Sequence, residues 1–193
     1  MEDGRQGHVR SLIQLPRGKD ENSEMIIISL PILQSSSSWT SMNTGRWGLR
    51  MEVVEGRIFA IGGGTSSGEV TSLGTRQKWM AISSMANSRA YFASVVLGSS
   101  IFVTGGFGGS YLGSAEKYST RQDKWTTLPS MNSKRRGHGL IAFKGRLLAF
   151  GGYDGSKYLC SMESLDPEST NGWTEEKFML PECKRSFAWI TQN

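Results

Sequence analysis

The chain has 193 residues, among them 24 glycines and only five prolines, arranged in many short β-rich runs, and it reads as an ordinary soluble all-β protein. Its 22 Lys and Arg against 17 Asp and Glu leave a net charge of +5, a mild excess that suits acidic protein partners better than nucleic acid. The longest apolar run near the N-terminus, Met25 to Ile28, is too short to cross a bilayer, and MEDGRQGHVR has no adjoining apolar stretch, so no membrane partner and no signal peptide are expected and a cytoplasmic location is.

Residues 1 to 23 show no repeat and are read as a separate N-terminal segment, with disorder one reading of it. Residues 24 to 42, EMIIISLPILQSSSSWTSM, predict two strands that close an earlier unit and contain Trp39. A block then recurs three times: an arginine (Arg46, Arg89, Arg135) lies 16 residues before a glycine pair (Gly62 and Gly63, Gly105 and Gly106, Gly151 and Gly152). A methionine (Met42, Met85, Met131) lies 20 before each pair.

Inside the block, two apolar segments flank a two-residue turn, Glu55-Gly56, Gly98-Ser99 or Lys144-Gly145, which predicts a β-hairpin. The first strand of each hairpin is rich in small residues, such as Ala90, Ala93, Ser94, Gly137 and Gly139, as crowding around a common axis requires. A third strand carries Glu116 and Tyr118 in SAEKYST, and Glu163 and Leu165 in SMESLDP; Trp79, Trp125 and Trp173 open a fourth. The first unit departs from the pattern: its third strand, near Val70 to Gly74, has no glutamate-aromatic pair. The units run about 43–83, 86–129 and 132–178, and KRSFAWI, within residues 184–193, predicts the innermost strand of a further unit. The run Gly62-Gly63-Gly64 is no phosphate loop, because neither a helical pattern nor a lysine follows it.

Four strands per unit, a period in the mid-forties, a doubled glycine and a periodic tryptophan resemble the kelch repeat, over about residues 39 to 193. The resemblance implies an all-β fold, a β-propeller of kelch-type four-stranded antiparallel blades: about three full blades plus partial blade strands at 24–42 and 184–193. Kelch-like propellers commonly have about six blades, or roughly 290 residues at this period, so an open arc with exposed, self-associating edges is expected. Closure as four blades, with KRSFAWI joining VRSLIQL, EMIIISL and SWTSM, is the alternative.

What the resemblance implies for function is a protein-interaction module that presents blade loops to a protein or acidic peptide, in the setting of cullin-RING ubiquitin ligase adaptors or of actin binding. The other class is a kelch-propeller enzyme, an oxidase or a sugar epimerase. Such copper oxidases use two histidines, whereas here only His138 lies in the repeats and His8 lies outside them. No cluster has metal-ligand spacing and no GxSxG elbow occurs, so no catalytic residue, metal or cofactor is assigned.

Kelch domains that receive acidic motifs line the pocket with arginines at this phase, matched here by Arg46, Arg89 and Arg135, and less well by Arg185 after PECK; the guanidinium fork suits a carboxylate. The equal alternative is that each arginine pairs with an acid of its own or a neighbouring blade. Trp47, Tyr91 and Tyr111 add stacking at the same surface. Glu116 and Glu163, being repeated, read as structural, and SKRRGH, from Ser133, reads as a solvated loop. Cys160 and Cys183 form no CxxC and are expected as reduced thiols.

Overall fold

The computed structural model describes residues 11–12, 27–28, 41–72, 78–169 and 171–183. A short antiparallel pair, β1 (Ser11–Leu12) with β2 (Ile27–Ile28), precedes three four-stranded antiparallel sheets. The first blade is β3 (Leu49–Val54), β4 (Arg57–Gly62), β5 (Gly68–Ser72) and β6 (Met80–Ile82). The second is β7 (Ala93–Leu97), β8 (Ser100–Thr104), β9 (Ala115–Ser119) and β10 (Lys124–Leu128). The third is β11 (Gly139–Phe143), β12 (Arg146–Phe150), β13 (Met162–Leu165) and β14 (Thr174–Glu175). Each blade takes its strands in chain order, so every blade is a meander, the kelch-type all-β architecture expected from the sequence. No helix occurs among the described residues.

The hairpins follow from turn chemistry. Glu55 and Gly56 have φ of 48° and 72°, Lys144 and Gly145 49° and 76°, the positive pair that matches the twist of the flanking strands. In the turn of the second blade Gly98 alone is positive, at 62°. The glycine pairs leave the sheet: the second strands end at Gly62, Thr104 and Phe150, one or two residues before the pairs finish. Their geometry explains why there are two. The first glycine of a pair abuts the next blade, where a Cβ on Gly62 would lie 2.9 Å from the Arg89 carbonyl oxygen and one on Gly105 would collide with that of Arg135. The second faces its own inner strand, 2.7 Å from the Cβ of Arg46, Phe92 or His138 in turn.

Alternate residues of each second strand serve opposite neighbours, as a period of two requires. Phe59, Ile61 and Val70 of the first blade pack against Phe92, Ile101, Val103 and Tyr118 of the second. Phe102 and Ala115 of the second meet Leu140, Leu147, Ala149 and Leu165 of the third. The inner strands β3, β7 and β11 stand side by side, which is what their small residues permit. Trp125 Nε1 donates to the Ser83 carbonyl and Trp173 Nε1 to that of Pro129, both at 2.8 Å, tying each blade to the tail of the one before.

One expectation is corrected. Cys160 and Cys183 are joined as a disulfide, with Cα atoms 4.3 Å apart. After β14 the chain returns along β13, and Leu180 N donates to the Cys160 carbonyl at 2.9 Å, a contact that a separation of 23 in sequence does not announce. Trp39, Arg185 and the predicted strand KRSFAWI lie outside the described residues.

Candidate functional site

The three repeated arginines do not reach the surface. Their side chains are 0% exposed, and each pairs with a glutamate that is itself nearly buried: Arg46 with Glu69 (2.9 Å), Arg89 with Glu116 (2.7 Å) and Arg135 with Glu163 (2.8 Å). The forks also cap the irregular turn after the glycine pair. Arg89 Nη1 donates to the carbonyls of Gly105 and Ser114, and Arg46 and Arg135 do the same at Gly62 and Ser67, and at Gly151 and Ser161. The pocket-lining role expected for them therefore gives way to the own-blade pairing that was the alternative. Burial draws the Arg89 guanidinium below its ordinary pKa, with Glu116 opposing the shift.

Glu69 is the residue the repeat pattern missed. It stands seven residues after Gly62, whereas Glu116 and Glu163 stand 11 and 12 after their pairs, because the first blade has a shorter loop there. Burial raises its pKa, but the amide of Asn43, the fork of Arg46 and the amide of Thr44 together bring it below the usual value. The unit that reads as divergent thus keeps the buried arginine–glutamate pair, with Thr71 where Tyr118 and Leu165 stand.

His138 is buried with Nε2 2.7 Å from Thr104 Oγ1 across the blade boundary. Burial, with the nearby arginines, holds its pKa well below the ordinary value, so it is a neutral joint between blades. No group of three or more His, Cys, Asp or Glu that could hold a metal ion occurs among the described residues.

The aromatic residues do converge. In the second and third blades the loop after the glycine pair folds back on the lead-in to the inner strand: Ala90 and Phe107 exchange backbone hydrogen bonds, as do Arg136 and Tyr153. This sets Phe107, Tyr111, Tyr153 and Tyr158 in a row of edge and tilted contacts, with centroids 5.4, 5.6 and 5.1 Å apart. Trp47, 55% exposed, meets Tyr91 at 5.6 Å. Arg136 joins the two groups, its Cζ 4.4 Å from the Tyr91 centroid and 5.7 Å from that of Phe107. The result is one band of six rings and a guanidinium across three blades. An open cleft of about 400 Å³, lined by Asn132, Ser133, Lys134, Asp154, Gly155 and Ser156, lies beside it.

Two details distinguish the band from scaffold. Arg136 forms no ion pair among the described residues, unlike its neighbour Arg135. Tyr91 has φ of 52° at the position where the other blades have Gly48 (61°) and Gly137 (62°), a left-handed conformation that costs a residue with a Cβ about 1 to 2 kcal/mol. Of the sequence candidates, the band holds Tyr91 and Tyr111 with Trp47, and not the arginines. Arg136, Phe107, Tyr153 and Tyr158 were missed. The signal was there, since Phe107 and Tyr153 both directly follow a glycine pair.

The kelch motif model matches residues 88–132 and 134–177, the second and third blades described above. The chain carries kelch repeats. It is 45% identical over 69 residues to mouse Kelch-like protein 8, covering 35% of this chain and 11% of that protein. To mouse Kelch-like protein 35 it is 35% identical over 115 residues, 58% of this chain and 19% of that protein. Alpha-scruin of Limulus polyphemus is 32% identical over 113 residues, 54% of this chain and 12% of its own length. The chain thus spans a fifth or less of these relatives. The solved structure of YjhT superposes with a TM-score of 0.62 at 14% identity, covering 70% of this chain and 52% of that one, a likeness of fold.

Proposed function

We propose that these kelch repeats form a protein-interaction module and that the partner lies across the aromatic band, with an acidic group of the partner received by Arg136. The observation that carries the reading is the guanidinium of Arg136, spread over Tyr91 and Phe107 without a carboxylate of its own among the described residues. Stacking orients a guanidinium while leaving its edge N–H groups for a bidentate acceptor, and flat, rigid rings around a charge are what interaction hot spots are made of. Lys134 beside the cleft adds a second positive charge. In the wider setting that the kelch resemblance implies, the band would present a bound protein to a larger cytoplasmic assembly. An enzymatic reading has less behind it, because the one histidine of the blades is enclosed between them.

A displayed peptide library selected on the whole chain supplies the probe, and the selected peptide is then titrated against variants. Arg136→Ala is expected to weaken binding at least tenfold and Tyr111→Ala severalfold, with the thermal midpoint unchanged; losing one partner of an interfacial charge pair typically costs about 2 to 5 kcal/mol. Equal affinity of wild type and Arg136→Ala for an acidic selected peptide would remove the band as the site.

A further inference from the structure

The structure repeats one backbone joint after each of the three blades, and at the third it places two cysteines. At the first joint Met85 N donates to the Ser66 carbonyl, 2.9 Å, and at the second Met131 N to that of Gly113, 2.8 Å. At the third, Leu180 N donates to the carbonyl of Cys160, 2.9 Å. Leu180 therefore holds the phase of the repeated methionine. Three residues on from Met131 is Lys134, and a Cβ built on Gly113 would lie 3.8 Å from the Lys134 Cα. Three on from Leu180 is Cys183, and the residue opposite is Cys160, the equivalent of Gly113. The joint itself opposes these two positions, independently of what side chains stand there.

The segment between is held to the third blade near Glu176. Glu176 N donates to the Met162 carbonyl at 2.9 Å and Ser164 Oγ to Glu176 Oε1 at 2.5 Å, while Phe178 and Met179 are 78% and 66% exposed. Cys183 is exposed and Cys160 half-buried, so a small thiol reagent reaches the pair.

We propose that Cys160 and Cys183 form a redox-responsive covalent staple that fixes the chain leaving the third blade. Glutathione disulfide is the oxidant by class. The thiolate of Cys183 attacks one of its sulfurs, forming a mixed disulfide and releasing one glutathione thiolate; the thiolate of Cys160 then attacks Sγ of Cys183, closing the staple and releasing the second. Two protein thiols lose two electrons and two protons, and one glutathione disulfide becomes two glutathione molecules. Excess glutathione reverses both steps.

The test uses the whole chain equilibrated with glutathione disulfide or with dithiothreitol. Trypsin under non-reducing conditions is expected to release residues 158–177 linked to residues 178–184 in the oxidised sample, as a mass that splits on reduction. In the native protein, cleavage after Lys177 is expected to be at least fivefold faster once reduced. Cys183→Ser and Cys160→Ser are expected to cleave at the reduced rate in either buffer. Full alkylation of both cysteines after the oxidised incubation, or one cleavage rate in both buffers for the wild type, overturns the proposal, and the wild-type comparison does not depend on how either variant folds.

Discussion

Replacing Arg89 with alanine removes four hydrogen bonds at once, to the carbonyls of Gly105 and Ser114, to Ser114 Oγ and to Glu116 Oε1. Glu116 is left with the amide of Ala86 as its remaining donor, in a site where it is 1% exposed. Breaking a buried ion pair by removing one partner costs about 3 to 5 kcal/mol, a large part of the roughly 5 to 15 kcal/mol that holds an ordinary domain together. With a urea slope of about 2 kcal/mol per molar, the unfolding midpoint should fall by about 2 M. Lys124→Ala, an exposed change in the same blade, should stay within about 0.5 kcal/mol. Arg89→Lys keeps the charge but not the fork, and should land between them. The assay is tryptophan fluorescence in urea on all three variants beside the wild type. A midpoint for Arg89→Ala that matches Lys124→Ala, together with lost binding of the selected peptide, would return the arginines to the partner pocket and refute the reading of them as buried structural ion pairs.

His138 is held neutral by burial while an unfolded histidine titrates near 6.5, so the unfolded chain binds more protons below that pH and stability should fall as pH drops from about 6.5, by up to about 1.4 kcal/mol per pH unit. Urea midpoints between pH 5 and 8 check this, and Thr104→Val with His138→Phe, which copies the Phe92 of the second blade, should flatten the curve over that range. Gly105→Ala should destabilise by more than about 2 kcal/mol, since its Cβ meets the Arg135 carbonyl at a φ of 61°, and Gly98→Ala, with open space around it, should cost less; melting midpoints of the pair decide it. Tyr91→Gly should leave stability level or raise it by about 1 kcal/mol while weakening the selected peptide severalfold, read by melting and titration in parallel.

The blades were legible because their constraints recur. The 16-residue interval from arginine to glycine marks a real contact, the fork of Arg46 on the Gly62 carbonyl and its counterparts, and a contact made in every blade leaves a period in the sequence. Glu69 escaped because the interval that places it runs through a loop, and loops change length freely while the residue they deliver stays put. The cysteine pair escaped for a related reason: its geometry belongs to the segment that leaves the third blade, where the backbone bond from Leu180 sets which residues face each other.

The same logic inverts for the site. A side chain found in every blade at one phase answers a need that every blade has, and Arg46, Arg89 and Arg135 are spent on capping their own turns. A surface that recognises one partner needs something different from blade to blade, so its residues are sought where the phase is broken. Position by position, the two residues after the repeated arginine are Trp47 and Gly48, Ala90 and Tyr91, Arg136 and Gly137. Each blade places one large side chain in that window, at the first residue in two blades and at the second in the other, and all three join one band. Tyr91 accepts a backbone conformation its neighbours give to glycine, and its ring is what Arg136 rests on. Aperiodic aromatics and an arginine with no ion pair among the described residues, set against strictly periodic glycines and paired arginines, are the grounds on which the band is proposed as the binding surface.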